Sequence, residues 1–145
     1  MEIGKYIEAK IDEIKQKHYY AGWLNHTDAD LKRRWQSDKE ELDAEWQKIK
    51  TNKDVFDLID RFDGTVSWVE KYVTVGHIED AYNMALAFHK ALTALRKMSQ
   101  NMEVCSFIKT EFTRISEEEV NDIFARLDSI ATRMDEQNMR RAMSD

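Results

Sequence analysis

Apolar residues recur at steps of three and four along most of the chain, and that spacing predicts a succession of α-helices. The strongest run is 77–98, where Ile78, Ala81, Tyr82, Ala85, Leu86, Phe88, Leu92, Leu95 and Met98 share one broad face. Good helix formers fill the rest, with no proline and no internal glycine. A face that wide predicts a central helix covered by others. At the N-terminus, Ile3, Ile7, Ile11, Ile14 and His18 form a narrower seam, close to a coiled-coil stripe. It predicts a helix over 2–21, stopped by Gly22, that packs inside a bundle or pairs across a homodimer axis.

Thr27 reads as the cap of a second helix, with Asp28 and Asp30 in the first turn and an end near residue 50. Leu31 and Trp35 are echoed eleven residues later by Leu42 and Trp46, close to three full turns, so both pairs fall on one face. Asp38 and Lys39 interrupt that face. A short third helix is expected over 53–62, opened by Asn52 and closed near Gly64. The stretch 65–75 lies between Gly64 and Gly76 and is rich in β-branched residues. It reads as a separate helix, because a lone strand would have no partner for its backbone. After residue 98, Ser99 to Asn101 weaken the pattern. Val104, Ile108, Phe112 and Ile115 resume it, either as a new helix or as an extension of the central one. The last helix, 116–139, opens on a capping box of Ser116 and Glu119, with Ile115 and Val120 placed as a hydrophobic staple. Its buried face is Val120, Ile123, Phe124, Leu127, Ile130, Ala131 and Met134, and 140–145 reads as a frayed tail.

The expected fold is therefore an all-α, compact bundle of five to six helices around the central helix at about 77–98. Composition agrees: no proline and only four glycines leave little turn chemistry for a β-rich fold. A length of 145 residues predicts one domain over 1–139, followed by the tail. The charge is −6, from 28 acidic and 22 basic residues, which argues against general affinity for nucleic acid. A single cysteine, Cys105, excludes an internal disulfide and points to a reducing compartment. With no signal-peptide pattern and no span of about 20 apolar residues, the expected location is the cytoplasm.

Candidate chemistry is sparse. His77 with Glu79 and Asp80 could form an acid–base or ligand cluster, but the positions also fit a solvated first turn favoured by the helix dipole. His89 could move protons, or sit partly buried beside Phe88. No His-x-x-x-His pair, Glu-x-x-His motif, nucleotide loop or nucleophile elbow occurs, so no metal, cofactor or catalytic residue is expected. Asp60 to Gly64 lacks the alternating oxygen ligands of a calcium loop. Cys105 in an apolar run reads as core.

Two binding surfaces remain. Trp35 and Trp46 could anchor a protein partner with a basic surface, flanked by Glu40, Glu41, Asp43 and Glu45, although such residues are more often bundle core. Lys32, Arg33, Arg34, Arg140 and Arg141 are the alternative, a nucleic-acid contact, although three consecutive residues spread around a helix rather than forming one patch. The lack of proline and the high charge resemble, in composition only, small accessory proteins of bacteriophages. The expectation is a non-enzymatic protein-binding module, an adaptor or inhibitor, with no membrane association.

Overall fold

The computed structural model describes residues 2–22, 29–74, 77–103 and 111–144. They form five α-helices: α1 (Ile3–Gly22), α2 (Ala29–Glu45), α3 (Asn52–Tyr72), α4 (Ile78–Glu103) and α5 (Glu117–Ser144). A 3-10 turn, Trp46–Lys48, follows α2. No strand occurs among the described residues. The chain is the helical bundle that its spacing predicts, and α4 is its centre, touching all four other helices.

Cross-helix contacts fix the directions. Ser99 near the end of α4 donates to the Gly4 carbonyl of α1, while His18 stacks on Phe88, so α1 and α4 are antiparallel. Tyr6 meets Asn121, and His18 meets Asp128 and Asp135, so α1 and α5 are parallel. Asp60 meets Arg126 and Glu70 meets Arg133, so α3 and α5 are parallel too. Thus α1, α3 and α5 run one way and α4 the other. α2 lies outside the bundle, on α4, through Leu31 and Trp35 against Tyr82.

α5 explains the arrangement. Val120, Leu127 and Met134 line its buried face with Ile123, Ile130, Phe124 and Ala131. One edge of that stripe carries Asn121, Asp128 and Asp135, seven residues apart, all bonded to α1. The other carries Arg126 and Arg133, also seven apart, clamped on Asp60, Asp63 and Glu70 of α3. The helix is thus wedged between α1 and α3, across the core from most of α4.

Several boundaries differ from the sequence reading: α2 ends at Glu45 rather than near residue 50, and α5 runs on as helix to Ser144 where a frayed tail is expected from 140. The segments 53–62 and 65–75 are one helix, α3, running straight through Gly64. Glycine inside a helix costs only about 1 kcal/mol. Val55, Ile59, Phe62, Val66 and Val69 make one unbroken buried stripe across it, which outweighs that cost. The helix is capped by Thr51 rather than Asn52. The Thr51 side chain accepts from the Asp54 amide and Asp54 accepts from the Thr51 amide, a capping box. Asn52 instead pins Thr113, donating to its carbonyl at 2.7 Å and accepting its amide at 3.0 Å. α4 passes residue 98 to Glu103, because Ser99 is buried with its hydroxyl bonded to Gly4. Residues 112–116 are not helical, though Phe112 still reaches the core. The capping box of Ser116 and Glu119 is present, both bonds formed. Thr27, Asp28, Cys105, Val104 and Ile108 lie outside the described residues.

Candidate functional site

The largest exposed aromatic side chains of the described surface are on α3. Trp68 is 54% and Tyr72 61% exposed, and their ring centroids are 5.8 Å apart. They stand at residues i and i+4, outside the buried stripe of the same helix. Next to them two adjoining hollows, about 440 and 190 Å³, run between α3 and the antiparallel α4. Both share Arg61, Thr65 and Asn83, so they form one groove. Trp68 and Asp80 close one end and Leu58 and Lys90 the other. From Leu58 to Trp68 it extends about 15 Å at 1.5 Å per residue. Gly64 lies on its wall, and a Cβ built there meets no atom within 4 Å. Arg61 and Asp80 face the same hollow from opposite walls. Among the described residues neither side chain has an ion-pair partner.

The predicted protein-binding residues of α2 are split. Trp35 points at α4, edge-on to Tyr82 and 4.7 Å from the His89 ring. Trp46 opens the 3-10 turn, covered by the Lys97 ammonium 5.8 Å from its ring centre, and its carbonyl accepts from the same ammonium. Glu40 and Glu41 are exposed, while Glu45 holds Lys90 at 3.3 Å. The carboxylates and the tryptophans therefore do not share one outward face. The side chain of Asp43 lies outside the described residues. Leu42 and Ile49 are buried with Leu31.

The basic candidates are largely engaged. Lys32 is exposed. Arg33 pairs with Asp30, and Arg34 reaches Glu79 at 2.9 Å and covers the Tyr82 ring at 4.3 Å. Arg140 sits at the same end of α4, in a small hollow with His77 and Asp80. The side chain of Arg141 lies outside the described residues.

No family model, curated protein or solved structure matches this chain.

Among the described residues His77, Glu79 and His89 do not come together. His77 is exposed, Glu79 is taken by Arg34, and no hydrogen bond joins either to His89. Burial, helped by the charges of Lys15, Lys39 and Arg96, pushes the His89 pKa down to about 4, so the ring stays neutral against Trp35. No cluster of three or more metal-ligating side chains occurs among the described residues.

The histidine that does meet carboxylates is His18 of the isoleucine seam. It is 2% exposed, with Nε2 and Nδ1 each 2.6 Å from an aspartate, Asp128 and Asp135. Burial alone would lower its pKa, but the bonds to Asp135 and Asp128 and their charges reverse this and raise it. The ring is thus an imidazolium donating from both nitrogens. Burial would raise the pKa of Asp128, yet bonds from His18 and Lys17 hold it below its usual value. A general base must leave one nitrogen free for the substrate. Here both are taken and the ring is sealed, so the trio is a pin between α1 and α5.

The seam it belongs to is internal as well. Ile7, Ile11 and Ile14 are buried inside the bundle, which leaves no exposed isoleucine stripe for a dimer. His18 was visible on the seam but its partners, 110 and 117 residues away, were not. Trp68 and Tyr72 were missed for a local reason. Splitting the chain at Gly64 put Tyr72 in line with Val66, Val69 and Val73. Continuing the helix through the glycine puts it outside.

Proposed function

We propose that this chain is a small acidic protein-binding module, an adaptor or inhibitor acting in the cytoplasm, that works without catalysis by seating a partner in the α3–α4 groove. The observation that carries this reading is Trp68, half exposed beside a hollow whose wall is a side-chain-free residue, Gly64. Tryptophan over a pocket is the commonest kind of interface anchor, and losing one in a contact costs at least about 2 kcal/mol of affinity. Isolated exposed apolar residues carry no such message. Here Trp68 packs against Tyr72 and itself borders a continuous groove. The acidic helix α2 flanks the far end, where Glu45 holds Lys90.

The test is affinity capture with wild type, Trp68→Ala and a Glu40→Lys, Glu41→Lys double variant, each checked for an unchanged melting curve. Loss of the captured protein with Trp68→Ala alone supports the groove. Loss with the double variant alone moves the contact to α2. Capture of nucleic acid that fades steeply with added salt replaces the reading with the basic alternative.

A further inference from the structure

We infer that the occupant of the α3–α4 groove is an amphipathic α-helix of a partner protein, with small residues over Gly64 and with one carboxylate and one cation set about two turns apart. The inference rests on the groove being the binding site, and three features carry it beyond that.

The first is the shape. Two antiparallel helices bound a straight channel about 15 Å long, or ten residues of α3. A third rod fits between two others when its ridges lie in their groove. The walls are helices whose backbone groups are already bonded, so they offer no sheet edge to an extended strand. A helix brings its own backbone hydrogen bonds satisfied.

The second is Gly64. No glycine among the described residues takes a positive φ, and a Cβ at residue 64 would meet open space. Neither the backbone nor the packing of the free protein requires glycine there, and in mid-helix it is a poor choice. Its one physical effect is to let something from outside approach the α3 backbone. Close helix contacts of that kind use small residues on both sides.

The third is charge. At the helix contacts described above, long cations are held by carboxylates: Arg126 on Asp60, Arg133 on Asp63 and Glu70, Lys17 on Asp128, Arg34 on Glu79. In the groove Arg61 and Asp80 face the same hollow without ion-pair partners among the described residues. Asp80 lies level with Val69, which lines both hollows that Asp80 does. From Arg61 to that level is eight residues, or about 12 Å along α3. A helix lying in the channel would satisfy both with an acid and a base seven or eight residues apart.

The experiment selects from a displayed library of randomised 16-residue helical peptides on the full chain, then measures each binder against Gly64→Leu, Arg61→Glu and Trp68→Ala. A Cβ at residue 64 meets no atom within 4 Å, so Gly64→Leu should melt no lower than wild type, and its melting curve is measured beside its binding so that lost binding is told from lost folding. The expected binders are helices with Ala, Gly or Ser on the contact face and an acid–base pair about two turns apart. They should weaken about tenfold or more on Arg61→Glu and recover when their own acid is changed to lysine. Groove-dependent binders that are extended, rich in proline or without the charge pair overturn the helix inference and leave the groove standing. Binders indifferent to both Gly64→Leu and Trp68→Ala remove the groove itself.

Discussion

The bundle joins α1 to α5 and α3 to α4 in opposite styles. Along α1 and α5 the facing polar groups find each other: Tyr6 with Asn121, Lys17 with Asp128, His18 with Asp128 and Asp135. Even the surface hollow there, about 390 Å³, has its lysines answered, Lys17 by Asp128 and Lys10 by Glu13. Along the outer side of α3 and α4 a residue has no side chain, a tryptophan faces water, and an arginine and an aspartate are unanswered within the described residues. The first contact has its facing charges answered within the chain. The second has the features of a contact with half its members missing. Polar complementarity inside a chain marks where helices are held; its absence beside an exposed aromatic marks where something else fits.

The largest loss of stability is expected at His18. Replacing it with alanine would leave Asp128 and Asp135 facing a buried hole, and Oδ1 of Asp135 already lacks a partner among the described residues. Removing one side of a fully buried ion pair costs about 3–5 kcal/mol, and because Asp128 and Asp135 are partly open to water the loss here should fall toward or below the lower end. His18→Ala should therefore lower the urea midpoint sharply, and a loss under about 1 kcal/mol would mean the pin holds little.

The urea midpoint should also depend on pH, because His18, sealed in the core, and His89, half-buried against Trp35, have opposite signs. The folded pKa of His18 lies above 6.5, so its contribution is complete below that value and is lost as pH rises through the folded pKa. That of His89 is about 4, so its contribution is complete above 6.5 and is lost as pH falls toward 4. The acid loss amounts to roughly 3 kcal/mol at full expression. Stability should form a dome, with His89→Gln flattening the acid side and His18→Ala the alkaline side. A flat alkaline limb in wild type would count against the imidazolium.

On the open side the effects on folding should be small. Thr51→Ala removes the α3 cap and should cost about 1 kcal/mol. Gly64→Ala should raise stability by about 0.5–1 kcal/mol, since the methyl group meets nothing. A destabilising Gly64→Ala would show that the groove wall is packed after all. Trp68→Ala should change stability least, within about 0.5 kcal/mol, while removing partner binding.

Much of the fold could be read from spacing. The central helix, the isoleucine seam, the acid-rich second helix and the capped last helix all follow from periods of 3.6 and from cap residues, which are local properties. The break at Gly64 was misread for a local reason too: glycine's cost is counted within one turn, while the stripe from Val55 to Val69 that overrides it spans four. The candidate site was less legible. Trp35 and Trp46 stood out by type and surroundings, yet both are half-buried, Trp35 edge-on to Tyr82 of α4 and Trp46 beside Lys97.

By itself the sequence determined that this chain is helical, which faces of each helix are apolar, and where most helices begin, because those follow from residues a few positions apart. Only the tertiary structure decided that His18 is an ion-paired pin, that α5 lies between α1 and α3, and that Trp68 and Gly64 face outward beside Arg61 and Asp80. Those facts depend on which helix lies against which, and so on contacts between residues far apart in the chain.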